Sequence, residues 1–237
     1  AAVSLDQQFT NELTADQWKS VIKEVQDSLS DAAIHKAVDK MPAEVNALSG
    51  AWVEKRLRQR RDNMQDFGMR YYKIINKKIF IHGSDKDELF TVNRIDENTT
   101  EITIQKLNKH QEGTDTLYHR TFTHDITKEI NLWGYGDNDK FLYTGLQRNR
   151  IYLRSFGGDG ADQFTDASTS KGHGKKTRIY DTPDNAVKLS NDYKIRLTND
   201  TTYTTFVKRG FKFDWWKPAI TPGFSPDDGL LFSAGFT

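Results

Sequence analysis

Two periodicities divide the chain. Over residues 1–76 apolar residues recur at helical spacing, and from Lys77 onward they alternate or cluster as in strands. Thr14 is placed to cap a helix opening at Ala15, with Trp18, Val21, Ile22, Val25 and Leu29 on one face. Ser30 is placed to cap a second helix, Asp31 to Lys40, that buries Ala33, Ile34, Ala37 and Val38. Met41-Pro42 breaks it, and a short helix runs from Pro42 through Leu48 with proline at its first position. The longest helix starts at Ser49-Gly50. Its residues Trp52, Leu57, Met64, Phe67, Tyr71 and Ile74 fall near whole turns and form one apolar stripe over roughly seven turns.

Beyond Lys77, the segments starting at Ile79, Leu89, Thr100 and Leu117 are β-branched, aromatic or alternating, which predicts strands. Asp96-Glu97-Asn98 reads as a hairpin turn between two of them, so this part pairs antiparallel. Asn108 to Asp115 is polar and reads as an exposed loop. A pattern of strand, Gly/Asp turn and Phe then recurs. Ile79 to Gly83 leads to Asp87 and Phe90; Ile130 to Gly134 leads to Asp139 and Phe141; Ile151 to Gly157 leads to Asp162 and Phe164. In the last two copies, Gly134/Gly157, Asp139/Asp162 and Phe141/Phe164 share one offset of 23 residues. A repeat unable to bury its own apolar face predicts stacked β rungs. Thr177 to Asp181 and Tyr193 to Leu197 add strands, and the polar residues 165–176 read as a mobile insertion. The expected fold class is α+β: an N-terminal helical bundle (1–76) followed by a β-rich, solenoid-like stacked-strand domain (77–210).

Composition narrows the function classes. A net charge of +1 gives no electrostatic case for a nucleic-acid partner. With no cysteine, disulfides and thiolate metal sites are excluded, and an oxidising compartment fits as well as the cytosol. No apolar run approaches the length of a membrane helix. No signal peptide is visible, and Ala1-Ala2 reads as a mature end. Fourteen Phe, nine Tyr and five Trp make a core feasible despite low overall hydrophobicity.

Three features carry candidate chemistry. Gly157-Gly-Asp-Gly-Ala-Asp162-Gln-Phe164 fits the nonapeptide pattern of calcium-binding β-rolls, in which glycines shape a tight turn and stacked carboxylates ligate a hard cation. Asp139 and Asp162 would then approach each other and are the candidate calcium ligands. Tyr135 replaces a glycine in the other copy, and plain turn chemistry accounts for the same residues. Lys55, Arg56, Arg58, Arg60 and Arg61 form either an anion or lipid-headgroup patch or a solvated helix face with Glu54 and Asp62 as neighbours. The histidines His35, His82, His110, His119, His124 and His173 are scattered; only His119 and His124, near Asp125, have ligand-like spacing, and no hydrolase triad, phosphate loop or zinc-protease pattern is present.

At the C-terminus, Phe211 to Pro218 is aromatic and charged, Pro222 to Gly229 makes a turn, and Leu230 to Thr237 alternates. Phe232, Ala234 and Phe236 face one way and Ser233, Gly235 and Thr237 the other, as in a transmembrane β-strand behind an aromatic girdle. Residues 211–237 are therefore expected to be an aromatic linker and the first strand of an outer-membrane barrel.

Leu48-Ser-Gly50, Leu57 to Arg61, Tyr71-Tyr72, Gly83 to Phe90, Leu117 to Phe122, Thr127 to Ile130, Gly157 to Gly160, Ile179 to Asp181 and Asp227 to Gly229 stand as landmarks along nearly the whole chain. In that order they resemble the region preceding the barrel in BamA/TamA-like outer-membrane proteins (bacterial surface antigen family) of Bacteroidota, often fused to a metallophosphoesterase-like domain. The resemblance implies a non-catalytic module on the periplasmic side of the outer membrane, linked to outer-membrane protein assembly or translocation. Its implied partners are other outer-membrane or periplasmic proteins, and the membrane through the C-terminal strand. The phosphoesterase metal motifs are not here, so no catalytic residue carries over. An accessory part of a metallophosphoesterase and a calcium-stabilised adhesin-like module are the alternatives.

Overall fold

The computed structural model describes residues 6–7, 10–146, 148–169, 176–189, 192–206, 218–225 and 229–236. Two compact units result, residues 1–205 and residues 206–237. The expected girdle residues Phe211 to Lys217, His173 with half of the expected insertion, and Asp227 and Asp228 lie outside the described residues.

Local capping starts the helices where the residues call for it. Helix α1 (Ala15–Ser28) has Thr14 in a full capping box: its hydroxyl accepts from the Gln17 N–H, while the Gln17 side chain accepts from the Thr14 N–H. Helix α2 (Asp31–Val38) is capped by the Ser30 hydroxyl, which accepts from the Ala33 N–H. It buries Ile34 and Val38 and leaves Ala33 and Ala37 exposed. Helix α3 (Ala43–Val45) runs into a π turn over Asn46–Gly50. The expected longest helix is two, α4 (Ala51–Asp62) and α5 (Met64–Ile75). They divide at Asn63, where φ −90° and ψ 6° leave the helical range.

The helices form no N-terminal bundle. Among the large apolar side chains of α1 to α5, Ile34, Val38, Tyr72 and Ile75 are buried, whereas Trp52, Phe67 and Ile74 of the expected stripe face solvent. Helix α1 packs on α5, with the Trp18 and Tyr72 rings 5.6 Å apart, and α2 packs on α4. Four helices arranged as two pairs share no common core. Helix α5 instead turns Tyr72 and Ile75 toward the strands, and Arg120 clamps it there by donating to Tyr72 Oη at 3.0 Å and Asn76 Oδ1 at 2.6 Å.

Eleven strands follow in the first unit: β1 (Lys78–His82), β2 (Glu88–Arg94), β3 (Thr99–Leu107), β4 (Gly113–Thr123), β5 (Glu129–Tyr135) and β6 (Lys140–Gly145), then β7 (Tyr152–Gly158), β8 (Gln163–Asp166), β9 (Thr177–Asp181), β10 (Ala186–Lys188) and β11 (Tyr193–Leu197). A short helix α6 (Thr201–Thr204) closes the unit. One sheet orders β1-β5-β7-β9-β11 and is wholly parallel. The other orders β10-β8-β6-β2-β3-β4, parallel as far as β2 and antiparallel across β3 and β4. As expected, Asp96 makes the β2–β3 turn, its Oδ1 accepting from the Asn98 and Thr99 N–H groups at 2.7 and 2.8 Å.

The expected class, α+β with a helical bundle and a solenoid-like domain, is thereby corrected. Among the described residues the protein is α/β, with four helices of eight residues or more and thirteen strands, eleven in a parallel and a mixed sheet and two in an antiparallel hairpin, and no solenoid. The β3–β4 meander enters between the first two copies of the repeat and gives the second sheet its mixed character. The copies themselves become neighbouring strands in register. Phe90, Phe141 and Phe164 pair across β2, β6 and β8, with ring centroids 4.6 and 4.7 Å apart. They pack with Ile79, Ile81, Ile130, Leu132, Leu153 and Ile179 of the parallel sheet in one core. Strands β5 and β7 are buried along almost their whole length, as strands of a parallel sheet covered on both faces are.

The second unit is an antiparallel hairpin of β12 (Pro218–Ser225) and β13 (Gly229–Phe236). The turn expected over Pro222 to Gly229 is shorter, because Pro222 to Ser225 belong to β12.

Candidate functional site

Strand register assembles a column of acids inside the first unit. Asp139 and Asp162, from neighbouring copies of the repeat, immediately precede β6 and β8. The Asp139 N–H donates to Asp162 Oδ1 at 2.9 Å, and the Glu88 N–H donates to Asp139 Oδ1 at 2.9 Å. Glu88 in turn accepts from the Ser84 N–H and hydroxyl, at 2.9 and 2.7 Å. Asp181, at the end of β9, takes the Thr182 N–H at 2.8 Å and the Asn185 amide at 2.9 Å on Oδ1. All four side chains belong to residues no more than 1 % exposed, and Oδ2 of Asp139, Asp162 and Asp181 has no hydrogen-bond partner.

The glycines of the repeat exist to make room for these acids. A Cβ on Gly134 would collide with the Asp139 carboxylate and the Gly157 carbonyl. One on Gly157 would meet both Asp162 and Asp181, and one on Gly83 would meet Glu88. Each acid thus folds back over the glycine five residues before it, Gly83/Glu88, Gly134/Asp139 and Gly157/Asp162. The turn that follows needs positive φ. Gly158 and Gly160 supply it at 111° and 137°, while Tyr135 and Asp137 adopt 83° and 62° at the corresponding places. Tyr135 is held there by its hydroxyl against His82 Nδ1 at 2.7 Å and by ring stacking on that histidine.

Burial without counter-charge sets the protonation of the column. Burial pushes the Asp139 carboxyl up to about 9, and the neighbouring Asp162 charge adds to the rise. Burial likewise raises Asp181 to about 7, again with Asp162 adding to it, and Asp162 to about 6. A carboxyl kept protonated near neutrality holds a proton inside the sheet, and its O–H is a donor where a carboxylate would be an unpaired acceptor. The column faces no solvent, so it offers neither a nucleophile nor a base to a substrate.

Asp139 and Asp162, the calcium candidates, are therefore brought together. Each spends Oδ1 on a backbone N–H, and among the described residues no group of three or more His, Asp or Glu side chains is arranged to hold a metal ion. Calcium takes about six to eight oxygen ligands, so one free oxygen per aspartate falls short of its needs. Two members escaped the sequence reading. In the first copy Glu88, not the expected Asp87, is the equivalent of Asp139, and its five-residue spacing from Gly83 is the signal for it. Asp181 stands on its strand rather than after a turn, so no spacing marked it.

Besides His82, three histidines have side-chain neighbours. His35 bonds Glu54 at 3.1 Å, His119 bonds Glu101 at 2.9 Å, and His124 lies 3.4 Å from Lys128 Nζ. The basic cluster separates into two sets. Arg58 pairs with Asp31 and Glu54, and Arg61 with Asp31 and Asp62. Lys55, Arg56 and Arg60 have no acidic partner among the described residues, and they lie on the same exposed side of α4 as Trp52.

The β12–β13 hairpin presents a second exposed apolar surface. Register sets Phe224 opposite Leu230 and Pro222 opposite Phe232, so these alternate positions share one face. Phe224, Leu230 and Phe232 are 75 %, 68 % and 72 % exposed. The other face carries Thr221, Gly223 and Ser233, with Leu231 departing from the alternation.

Comparison with protein-family models, with curated proteins and with solved structures found no match to this chain.

Proposed function

We propose that the chain is a non-catalytic periplasmic scaffold or protein-interaction module of an outer-membrane barrel protein, associated with outer-membrane protein assembly or translocation. The supporting observation is the β12–β13 hairpin. Two adjacent antiparallel strands, each eight residues long, put Phe224, Leu230 and Phe232 on one face and mostly small or polar residues on the other. That alternation belongs to strands with lipid on one side and a polar lumen on the other, and such strands run to about 9–11 residues. A lone hairpin leaves edges that hydrocarbon cannot satisfy, so the reading requires further strands beside it to close a barrel. The resemblance carried by landmarks such as Leu57 to Arg61 and Gly157 to Gly160 points the same way. The buried acids fit a structural first unit, since none of them reaches solvent.

Fractionation of the chain, expressed with its native flanking sequence in its own cells, tests this. The expected result is recovery with outer membranes. Residues 1–205 should become accessible to a membrane-impermeant label only once the outer membrane is permeabilised. Recovery in the cytosol would overturn the proposal.

A further inference from the structure

Helices α4 and α5 expose aromatic and basic side chains along one side. Trp52 on α4 is 62 % exposed, Phe67 and Ile74 on α5 are each 58 % exposed, and Leu48, in the π turn before α4, is 89 % exposed. Between Trp52 and Phe67 lies an open groove of about 450 Å3, lined also by Val53, Leu57, Arg56 and Arg60. Arg56 sits over the Trp52 ring at 5.6 Å and Arg70 over the Phe67 ring at 5.8 Å, so cations and rings already share this surface. Large exposed apolar side chains grouped on one face mark an interaction site.

Charge identifies the occupant. The acids near α4 are used by Arg58 and Arg61, which leaves Arg56 and Arg60 at the groove without acidic partners among the described residues. Arg56 and Arg60 are four residues apart, one helical turn. A bilayer takes a helix whose apolar flank projects into the acyl boundary with cations on the opposite flank. Here Arg56 and Arg60 line the same concavity as Trp52 and Phe67 rather than an opposite flank. That arrangement fits a rod bearing an apolar side chain for the groove and carboxylates one turn apart. We propose that this face docks an acidic amphipathic helix of a partner protein, with an aromatic or leucine side chain between Trp52 and Phe67 and Asp or Glu on Arg56 and Arg60. The inference rests on the interaction part of the proposed function and not on its membrane location.

The probe is a fluorophore-labelled synthetic helix of about five turns, with Leu and Phe along one face and Glu beside them. A control peptide carries Lys at every Glu position. Both are titrated against the full chain. The acidic peptide should bind, more weakly as salt rises, and the control should not. The double variant Arg56→Glu/Arg60→Glu should weaken binding roughly tenfold or more. Because both residues are exposed, its melting point should not move. Phe67→Ser should also weaken binding, through the groove rather than through charge. Equal binding of the two peptides, or binding indifferent to charge reversal, would overturn the inference. So would displacement of the acidic peptide by phosphatidylglycerol vesicles, or self-association of the chain through this face. Loss of peptide binding with the chain still in outer membranes removes this inference alone. Peptide binding by a chain found in the cytosol removes the membrane location alone.

Discussion

The paired sheets and the α4–α5 face use similar residues in opposite ways. In the sheets, Phe90, Phe141 and Phe164 stack inside, and the charge-bearing residues beside them are acids sealed from water. On the helices, Trp52 and Phe67 stand outside, and the charged residues beside them are arginines in solvent. The difference comes from what each backbone demands of its neighbours. A sheet face packed against a second layer encloses the side chains that point into it, whatever their polarity. A helix satisfies its own backbone and can leave any face open. Aromatic content alone therefore says little about burial here, and register says much more.

The largest effect should separate the two regions directly. Phe141→Ala empties a position between Phe90 and Phe164 and should cost about 3–5 kcal/mol. Phe67→Ala on the open face should change stability by about 0.5 kcal/mol or less. Urea unfolding of both variants checks this, and similar losses would erase the contrast. Next, Gly157→Ala puts a methyl group where Asp162 and Asp181 already are, and a loss of about 2–3 kcal/mol is expected from overpacking. Chemical denaturation beside Gly235→Ala, where a Cβ meets nothing within 4 Å, is the control.

A smaller effect tests the trapped acids. Asp139, Asp162 and Asp181 have pKa values raised in the folded protein to about 9, 6 and 7. Unfolded, they titrate near about 4. Between those values the folded chain binds more protons than the unfolded chain, so these groups make stability fall as pH rises from about 4 to about 9. Their stabilising contribution is fully present only at the acid end of that window. Asp139→Asn should flatten the upper part of the profile and add about 1–2 kcal/mol of stability near its alkaline end. Melting curves across that range measure it, and a parallel shift at all pH values would sink the idea. The smallest expected effect is that of calcium. With one free oxygen on each aspartate, addition of calcium or of chelator should leave the melting point unchanged, since only a ligand of the folded state raises it. A calcium-dependent rise that is lost in Asp139→Asn would show that the acids are ligands after all.

Much of the local structure was legible in the residues. Thr14 with Gln17, Ser30 with Ala33, and the Asp96 turn depend on contacts within a few positions, so they could be read before any packing was known. The offset between Gly134/Gly157 and Asp139/Asp162 correctly foretold that the two acids meet. Misreadings came where local signals were ambiguous. Trp52, Phe67 and Ile74 had helical spacing, but spacing marks a face without saying whether another element will cover it. The neighbouring side of α5, with Tyr72 and Ile75, packs instead because Arg120 and Asn76 bind it to β4.

By itself the sequence determined the caps, most of the strands (not β10, β12 or the first residues of β4), the spacing of glycine and acid, and the alternation of β13, because each is set by backbone geometry within one segment. Tertiary structure alone decided that the sheets are parallel and mixed in an α/β fold, that Glu88 and Asp181 join the acid column, and that α4 and α5 keep an aromatic, basic face exposed. Those outcomes depend on which segments become neighbours, and long-range pairing is a property of the whole chain's burial rather than of any one stretch.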